Sequence, residues 1–287
     1  MREELQKKVD RAIKLLKSAE KKAKEFDEPV EICYSGGKDS DVILELARMA
    51  KINHKAIYKN TTICPSGTIM HALRRGAEMV RPKKSFFQLV QENGIPSRYY
   101  RFCCSKLKEY KILNVAAIGV RKSESVKRAS IYKEPQQCIF YNKSKKNHVH
   151  GFYPILDWTD QDVEEFLRER GVTCAPVYYD EQGNFHVERR LGCTCCPLKS
   201  RKNLREDFKA HPKFARILMN RGGQWLENQI VKGNKAAKLY RNIYELMFKE
   251  VFCNSVADFQ KKVENPLFGD RLDCKAYWEN FLNIKLD

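Results

Sequence analysis

Long apolar runs are missing from this chain. No stretch of its 287 residues approaches the roughly 18 apolar residues that a membrane-crossing helix needs. Its first residues, Met-Arg-Glu-Glu-Leu-Gln-Lys-Lys, lack the apolar middle of a secretory signal. A cytoplasmic location with no membrane partner is therefore expected. Internal repeats and low-complexity linkers are absent too, so the pattern is one large domain, or one domain with an appendage. Acidic residues are in short supply: 36 Asp and Glu face 54 Lys and Arg, a net charge of +18. That imbalance suits an anionic partner, either a nucleotide or a nucleic acid, although general solubility accounts for it equally well. The excess is uneven. Residues 121–150 hold eight basic against two acidic side chains, and residues 201–250 hold twelve against five. Residues 1–29 are nearly balanced, at nine against seven.

Cysteine, by contrast, is plentiful, with eleven in the chain. Disulfides are disfavoured in a reducing compartment, so clustered cysteines point to metal or redox chemistry. Cys103 and Cys104 are adjacent, while Cys193, Cys195 and Cys196 fall within four residues. Cys33, Cys64, Cys138, Cys174, Cys253 and Cys274 are scattered. Thiolates from Cys103, Cys104, Cys193 and Cys196 could bind a [4Fe–4S] cluster or a zinc ion. Adjacent ligands are awkward around one tetrahedral ion, whereas on a cluster they can take different irons. Cys195 is the spare, either a reactive thiol or a small filler. Cys253 and Cys274 read as buried cysteines.

The most informative stretch is Ser35-Gly36-Gly37-Lys38-Asp39-Ser40. It follows an apolar run, Val30–Tyr34, that predicts a short buried strand, and it precedes an amphipathic pattern that predicts a helix from Ser40 to about Ala50. Two glycines between a strand and a helix let backbone N–H groups close on an anion. Ser35 and Ser40 add hydroxyls, Lys38 adds a point charge, and the helix N-terminus adds partial positive charge. Asp39 repels phosphate, so its expected role is to hold Mg²⁺ or to cap the helix. The spacing is not that of Walker A, which places four residues between Gly and Gly-Lys.

Further elements follow from periodicity and breakers. They are a helix over 3–25, a strand at 55–58, a helix over 69–80, another at 86–93 and a buried strand at 115–120. Thr159 begins a helix as its N-cap. Residues 121–150 read as a mobile loop over the site, and 193–199 as a cysteine-rich turn. From Asn203 onward the chain reads as helical, with breaks at Gly222-Gly223, Gly233 and Pro266. Strands alternating with helices imply an α/β fold: a Rossmann-like, doubly wound, mostly parallel five-stranded sheet with helices on both faces and a C-terminal helical extension. The expected domains are an N-terminal helix (1–26), a nucleotide-binding domain carrying the cysteines (27–200) and the extension (201–287). Ligands in such a sheet bind beyond the carboxyl ends of the strands. The phosphate loop, Asn60-Thr61-Thr62 and the segment from Gly119 through Ser125 to Arg128 fall there. Asn60, Thr61 and Thr62 are candidates for a base or ribose, and Arg121 and Arg128 for a forked clamp on a tetrahedral anion.

In this order the segments resemble a known family. Ser35–Asp41 looks like the PP-loop of the ATP pyrophosphatases, also called adenine-nucleotide α-hydrolases. Asn60-Thr-Thr62, Arg101–Lys108, Gly119–Arg128, Tyr153–Thr159 and Arg190-Leu-Gly-Cys-Thr-Cys-Cys-Pro197 resemble the phosphoadenosine phosphosulfate (PAPS) reductase family over about residues 30–200. The paired cysteines resemble cluster ligands of iron–sulfur sulfonucleotide reductases. Two departures stand out. The nucleophilic Glu-Cys-Gly-x-His of those reductases is not matched by Arg271-Leu-Asp-Cys274-Lys. The loop is also intact, as in members that split ATP between its α- and β-phosphates. The resemblance therefore implies an ATP-dependent adenylating sulfurtransferase, with Lys38, Asp39 and Arg121 as catalytic residues, Mg²⁺ and a [4Fe–4S] cluster. It also implies a sulfur-donor partner such as a cysteine desulfurase or thioredoxin. DNA or tRNA would be the acceptor, met through residues 121–150 and 201–250. The alternatives are a reductase releasing sulfite from APS or PAPS, and a non-catalytic nucleotide sensor or DNA-binding partner.

Overall fold

Leu5, Val9, Ala12, Leu16, Ala19 and Ala23 recur at helical spacing and form the buried stripe of the first helix, α1 (Glu3–Lys24). The computed structural model of the chain describes residues 1–140, 148–264 and 271–287. It continues with β1 (Val30–Tyr34), α2 (Lys38–Ala50), β2 (His54–Lys59), α3 (Thr68–Arg74), β3 (Glu78–Val80), α4 (Phe86–Asn93), α5 (Phe102–Leu107) and β4 (Val115–Ala117). A 3-10 turn at Lys122–Glu124 leads to α6 (Val126–Ile131), β5 (Gln136–Phe140), β6 (His148–Phe152) and α7 (Asp160–Glu169). Then come α8 (Arg201–Ala210), α9 (Pro212–Val231), α10 (Ile243–Phe252), α11 (Val256–Val263) and α12 (Cys274–Leu282).

These elements form two compact units. One contains Met1–Pro82 and Ser105–Gly192; the other contains Lys83–Cys104 and Cys193–Asp287. This division differs from a cut at residue 200, because both cysteine groups fall in the second, helical unit.

The first unit is built on a sheet with strand order β3-β2-β1-β4-β6-β5. Five strands are parallel, in the Rossmann-like doubly wound arrangement, with helices flanking them; β5 pairs antiparallel with β6 at the edge. Val30, Ile32, Tyr34 and all of β4 are buried, as covered parallel strands require. The sixth strand comes from residues 121–150, which sequence alone reads as a loop. Part of that span is instead α6 and the β5–β6 ladder, whose polar sequence hides the strand; residues 141–147 lie outside the described residues. The helix expected over 69–80 ends at Arg74, Gly76 turns the chain at φ +79°, and residues 78–80 form β3 against β2. Three residues are too few to show a strand periodicity.

In the helical unit, α4 packs on α9. A second apolar core gathers Leu226, Tyr240, Phe248, Phe259 and Val263, together with Cys253 and Cys274. The expected break at Gly222-Gly223 is not there, for α9 runs through both residues. The pair serves packing instead: a Cβ on Gly222 would sit 2.4 Å from Ile95 Cδ1. Pro266 lies outside the described residues. Among the described residues no helix is long and apolar enough to cross a membrane.

Replacing Gly222 with Val should therefore overpack this contact and destabilise the helical unit by about 1–3 kcal/mol. Thermal unfolding checks this; Gly223→Ala, facing only Ile243 at 3.6 Å or more, should lose far less.

Candidate functional site

The phosphate loop joins β1 to α2, and its conformation is set by its own side chains. Gly36 adopts φ +78°, and a Cβ there would lie 2.8 Å from Thr68 Cγ2. Gly37 is the N-cap of α2, so the helix starts at Lys38, two residues before the sequence pattern places it. The Ser40 hydroxyl donates to the Gly37 carbonyl at 2.7 Å, and the Gly37 N–H points at Ser35 Oγ at 3.3 Å. Both serine hydroxyls thus hold the turn itself. Lys38 is buried; its N–H donates to the Tyr178 hydroxyl at 3.2 Å, and its ammonium lies 5.6 Å from the centre of that ring.

Strand order reverses between β1 and β4, and at such a switch point the loops leaving the two strands meet. Gly119, after β4, comes so close that a Cβ would stand 3.2–3.3 Å from Asp39. Arg121 follows, with its side chain only 1% exposed. Its Nε donates to Asp39 Oδ1 at 2.7 Å, Nη2 to Asp160 Oδ1 at 2.7 Å and Nη1 to Ser123 Oγ at 3.0 Å. The other Asp39 oxygen faces Lys38 Nζ at 3.4 Å. Burial and then Arg190 pull the Arg128 guanidinium below its ordinary range, while Asp39 opposes them. Arg128 also pairs with Glu124, whose carbonyl accepts from Arg190 Nη2 at 2.6 Å. Four cations therefore gather around Asp39, Glu124 and Asp160.

Most of the candidate side chains are engaged with other groups of the protein. Asp39 neither caps α2 nor stands open to Mg²⁺, because both of its oxygens face cations. Arg121 is a cross-link between Asp39 and Asp160 rather than an open clamp. Ser125 caps α6, accepting from the Arg128 N–H at 3.2 Å. Asn60 and Thr62 close a turn of their own, with the Thr62 N–H donating to Asn60 Oδ1 at 2.7 Å, and Thr61 is buried with its hydroxyl 3.2 Å from Cys64 Sγ.

Other residues of the site escape sequence reading. Asp41 is wholly buried in the first turn of α2. Its carboxylate accepts from the Tyr34 hydroxyl at 2.5 Å, meets His71 Nε2 at 2.9 Å and lies 3.4 Å from Arg75 Nε. This knot ties α2 to β1 and α3. The one sequence signal for it is His71 and Arg75, one helical turn apart. Arg190 opens the Arg190–Pro197 segment of the family resemblance but has no assigned role there, and Tyr178 carries no local signal.

In the helical unit, Cys103 and Cys104 sit in α5, and Cys193, Cys195 and Cys196 in the turn before α8. None is in a disulfide. The Cys103 thiol is pushed up by its hydrogen bond with Cys104, by burial, and by the nearby Cys104, Cys196 and Cys193 sulfurs, so these four share one neighbourhood. Among the described residues no three His, Cys, Asp or Glu side chains converge as one metal ion requires. Cys195 is buried at φ +52°, its N–H donating to Asp207 Oδ2 at 2.9 Å; burial and Asp207 push its thiol up.

Residues 29–199 match the model of the phosphoadenosine phosphosulfate reductase domain. The chain belongs to that family. It carries a PP-loop nucleotide-binding domain of a family whose named members are enzymes. Within the PAPS reductase family its likeness to individual relatives is modest. An uncharacterized protein of Methanocaldococcus jannaschii is 27% identical over 209 residues, covering 68% of this chain and 48% of that one. The phosphoadenosine 5'-phosphosulfate reductase of Vibrio parahaemolyticus is 33% identical over 85 residues, 28% of this chain and 29% of the reductase. The chain spans about half the length of the first of these. Among solved structures, the U34-tRNA thiolase NcsA of Methanococcus maripaludis, with its [4Fe-4S] cluster, gives a TM-score of 0.36 at 16% identity, covering 78% of this chain and 80% of the thiolase.

Removing the buried Asp41 carboxylate leaves Arg75 and His71 without their shared acceptor. Asp41→Ala should lower stability by about 3–5 kcal/mol, and the urea midpoint measures it. Asp41→Asn keeps one acceptor oxygen and should lose less.

Proposed function

We propose that this PAPS-reductase-family domain binds ATP and splits it between the α- and β-phosphates to activate an acceptor for sulfur transfer. The observation that carries the reading is the intact loop at the start of α2, with Lys38, Arg121, Arg128 and Arg190 gathered at the switch point. The N–H groups of the first turn and the Lys38 ammonium would hold the departing pyrophosphate. An acceptor oxygen attacks the α-phosphorus, the bond to the bridging oxygen breaks, and pyrophosphate leaves with the electron pair. Charge neutralisation by Lys38, Arg128 and Arg190 and fixed positioning would supply the catalysis, with Arg121 holding the loops in place. Asp39 would orient Arg121. No step is assigned to Mg²⁺, because the oxygens of Asp39 are engaged by cations.

Sulfide would then displace AMP from the adenylated acceptor, the new bond to sulfur forming as AMP leaves with the electron pair; a persulfide donor would first need a thiol reductant to release its outer sulfur as sulfide. Cys103, Cys104, Cys193 and Cys196 would hold a [4Fe–4S] cluster, which when bound supplies soft metal sites with affinity for sulfur. The basic segments support a nucleic acid as the acceptor. The reductase alternative needs a reactive thiolate outside the four ligands. Cys253 and Cys274 are poor candidates: both are buried in the helical core, and the Cys274 thiol is pushed up to about 12 by burial and Glu245.

Anaerobically purified protein incubated with ATP and acceptor RNA or DNA should release pyrophosphate, and Lys38→Ala should lower that rate by about 10²–10³-fold. Release of sulfite from APS or PAPS, with no pyrophosphate from ATP, would overturn the reading. Iron content that survives Cys196→Ala would remove the cysteine assignment.

A further inference from the structure

The helical unit holds a cavity of about 640 Å³ that the nucleotide loop does not use. That volume lies within the roughly 300–1,000 Å³ typical of small-ligand pockets. Its floor is apolar, from Phe86, Ile95, Leu204 and Phe208. Its wall carries Arg98, Arg201 and Arg205, none of which has a carboxylate in salt-bridge contact among the described residues. Arg98 Nη2 donates to the Lys199 carbonyl at 2.6 Å and Arg201 Nη1 to Asn254 Oδ1 at 2.8 Å, while Arg205 lies over the Phe252 ring. The Arg201 Nε is buried without a hydrogen-bond partner. Lys199 and Lys249, also on the wall, are already neutralised by Asp207 and Glu250.

Two further features narrow the ligand. Tyr99 lines the cavity yet is 98% exposed, and its neighbour Tyr100 is 53% exposed. The Tyr99 ring is free to serve as a stacking platform, Tyr100 beside it is half-exposed with its ring 5.5 Å from that of Phe102, and an apolar floor beneath three arginines suits a flat ring bearing phosphate. Cys195 also lines the cavity, so its occupant lies beside the cysteine group.

We infer that this cavity receives one nucleotide of a single-stranded nucleic acid, its base stacked with Tyr99 and its phosphate held by Arg98, Arg201 and Arg205. The inference rests on the reading that the acceptor is a nucleic acid. It favours a strand over a free nucleotide because the half-exposed Tyr100 ring and the surrounding basic segment extend past a single unit.

Fluorescence anisotropy of a labelled ten-nucleotide RNA or DNA with the full chain, without ATP, tests it independently of pyrophosphate release. Tyr99→Ala should weaken binding by about 5–150-fold. Because the ring is exposed, that substitution leaves the fold intact, which circular dichroism verifies. Arg201→Gln should also weaken binding and reduce the salt dependence by about one unit of slope. Four results would overturn the inference: no strand binding by the wild type, unchanged binding by both variants, a mononucleotide or inorganic phosphate competing as well as the strand, or binding of an acidic peptide in place of the strand.

Discussion

One ion pair, Arg121 with Asp39, anchors the candidate site. It joins the two loops that leave the sheet where its strand order reverses, and Gly119 makes room for the approach. The pairing of β1 with β4 brings the first turn of α2 and the segment after β4 side by side, and the ion pair locks them together. A guanidinium so buried must be matched by acceptors, and Asp160, Ser123 and the Trp158 carbonyl complete the set. The start of α7 is thereby drawn into the same knot.

Much of the fold was legible from local signals. The β1–loop–α2 unit declared itself by an apolar run, two glycines and a helical stripe. Helix α4 followed from periodicity and breakers, and α7 began at its N-cap Thr159, which forms a reciprocal cap with Asp162. What stayed hidden depends on partners distant in sequence. Strand β3 is three residues long and exists only because β2 offers it a ladder. Gly222 looks like a helix breaker until Ile95 is placed against it. Arg121 was found, but its carboxylates were not, because Asp39 and Asp160 lie far from it along the chain. The same holds for the acceptor shared by Tyr34, His71 and Arg75.

The two cysteine groups illustrate a different limit. Sequence spacing marked them as one constellation, and the structure gathers Cys103, Cys104, Cys193 and Cys196 within electrostatic reach of one another. What structure adds is that no three ligands converge on one point among the described residues, and that Asp207 pins the turn through both the Cys195 N–H and Lys199. A lone carboxylate in α8 thus governs how a loop of three cysteines is presented.

Tyr178 has a consequence for how the loop meets its ligand. Its hydroxyl accepts from the first N–H of α2, an acceptor where a phosphate oxygen would otherwise be the natural partner. The loop's curvature is therefore held by the protein's own groups, and the conformational entropy of ordering it is lost when the chain folds. On the proposed reading, an incoming phosphate would exchange one oxygen for another against a finished mould.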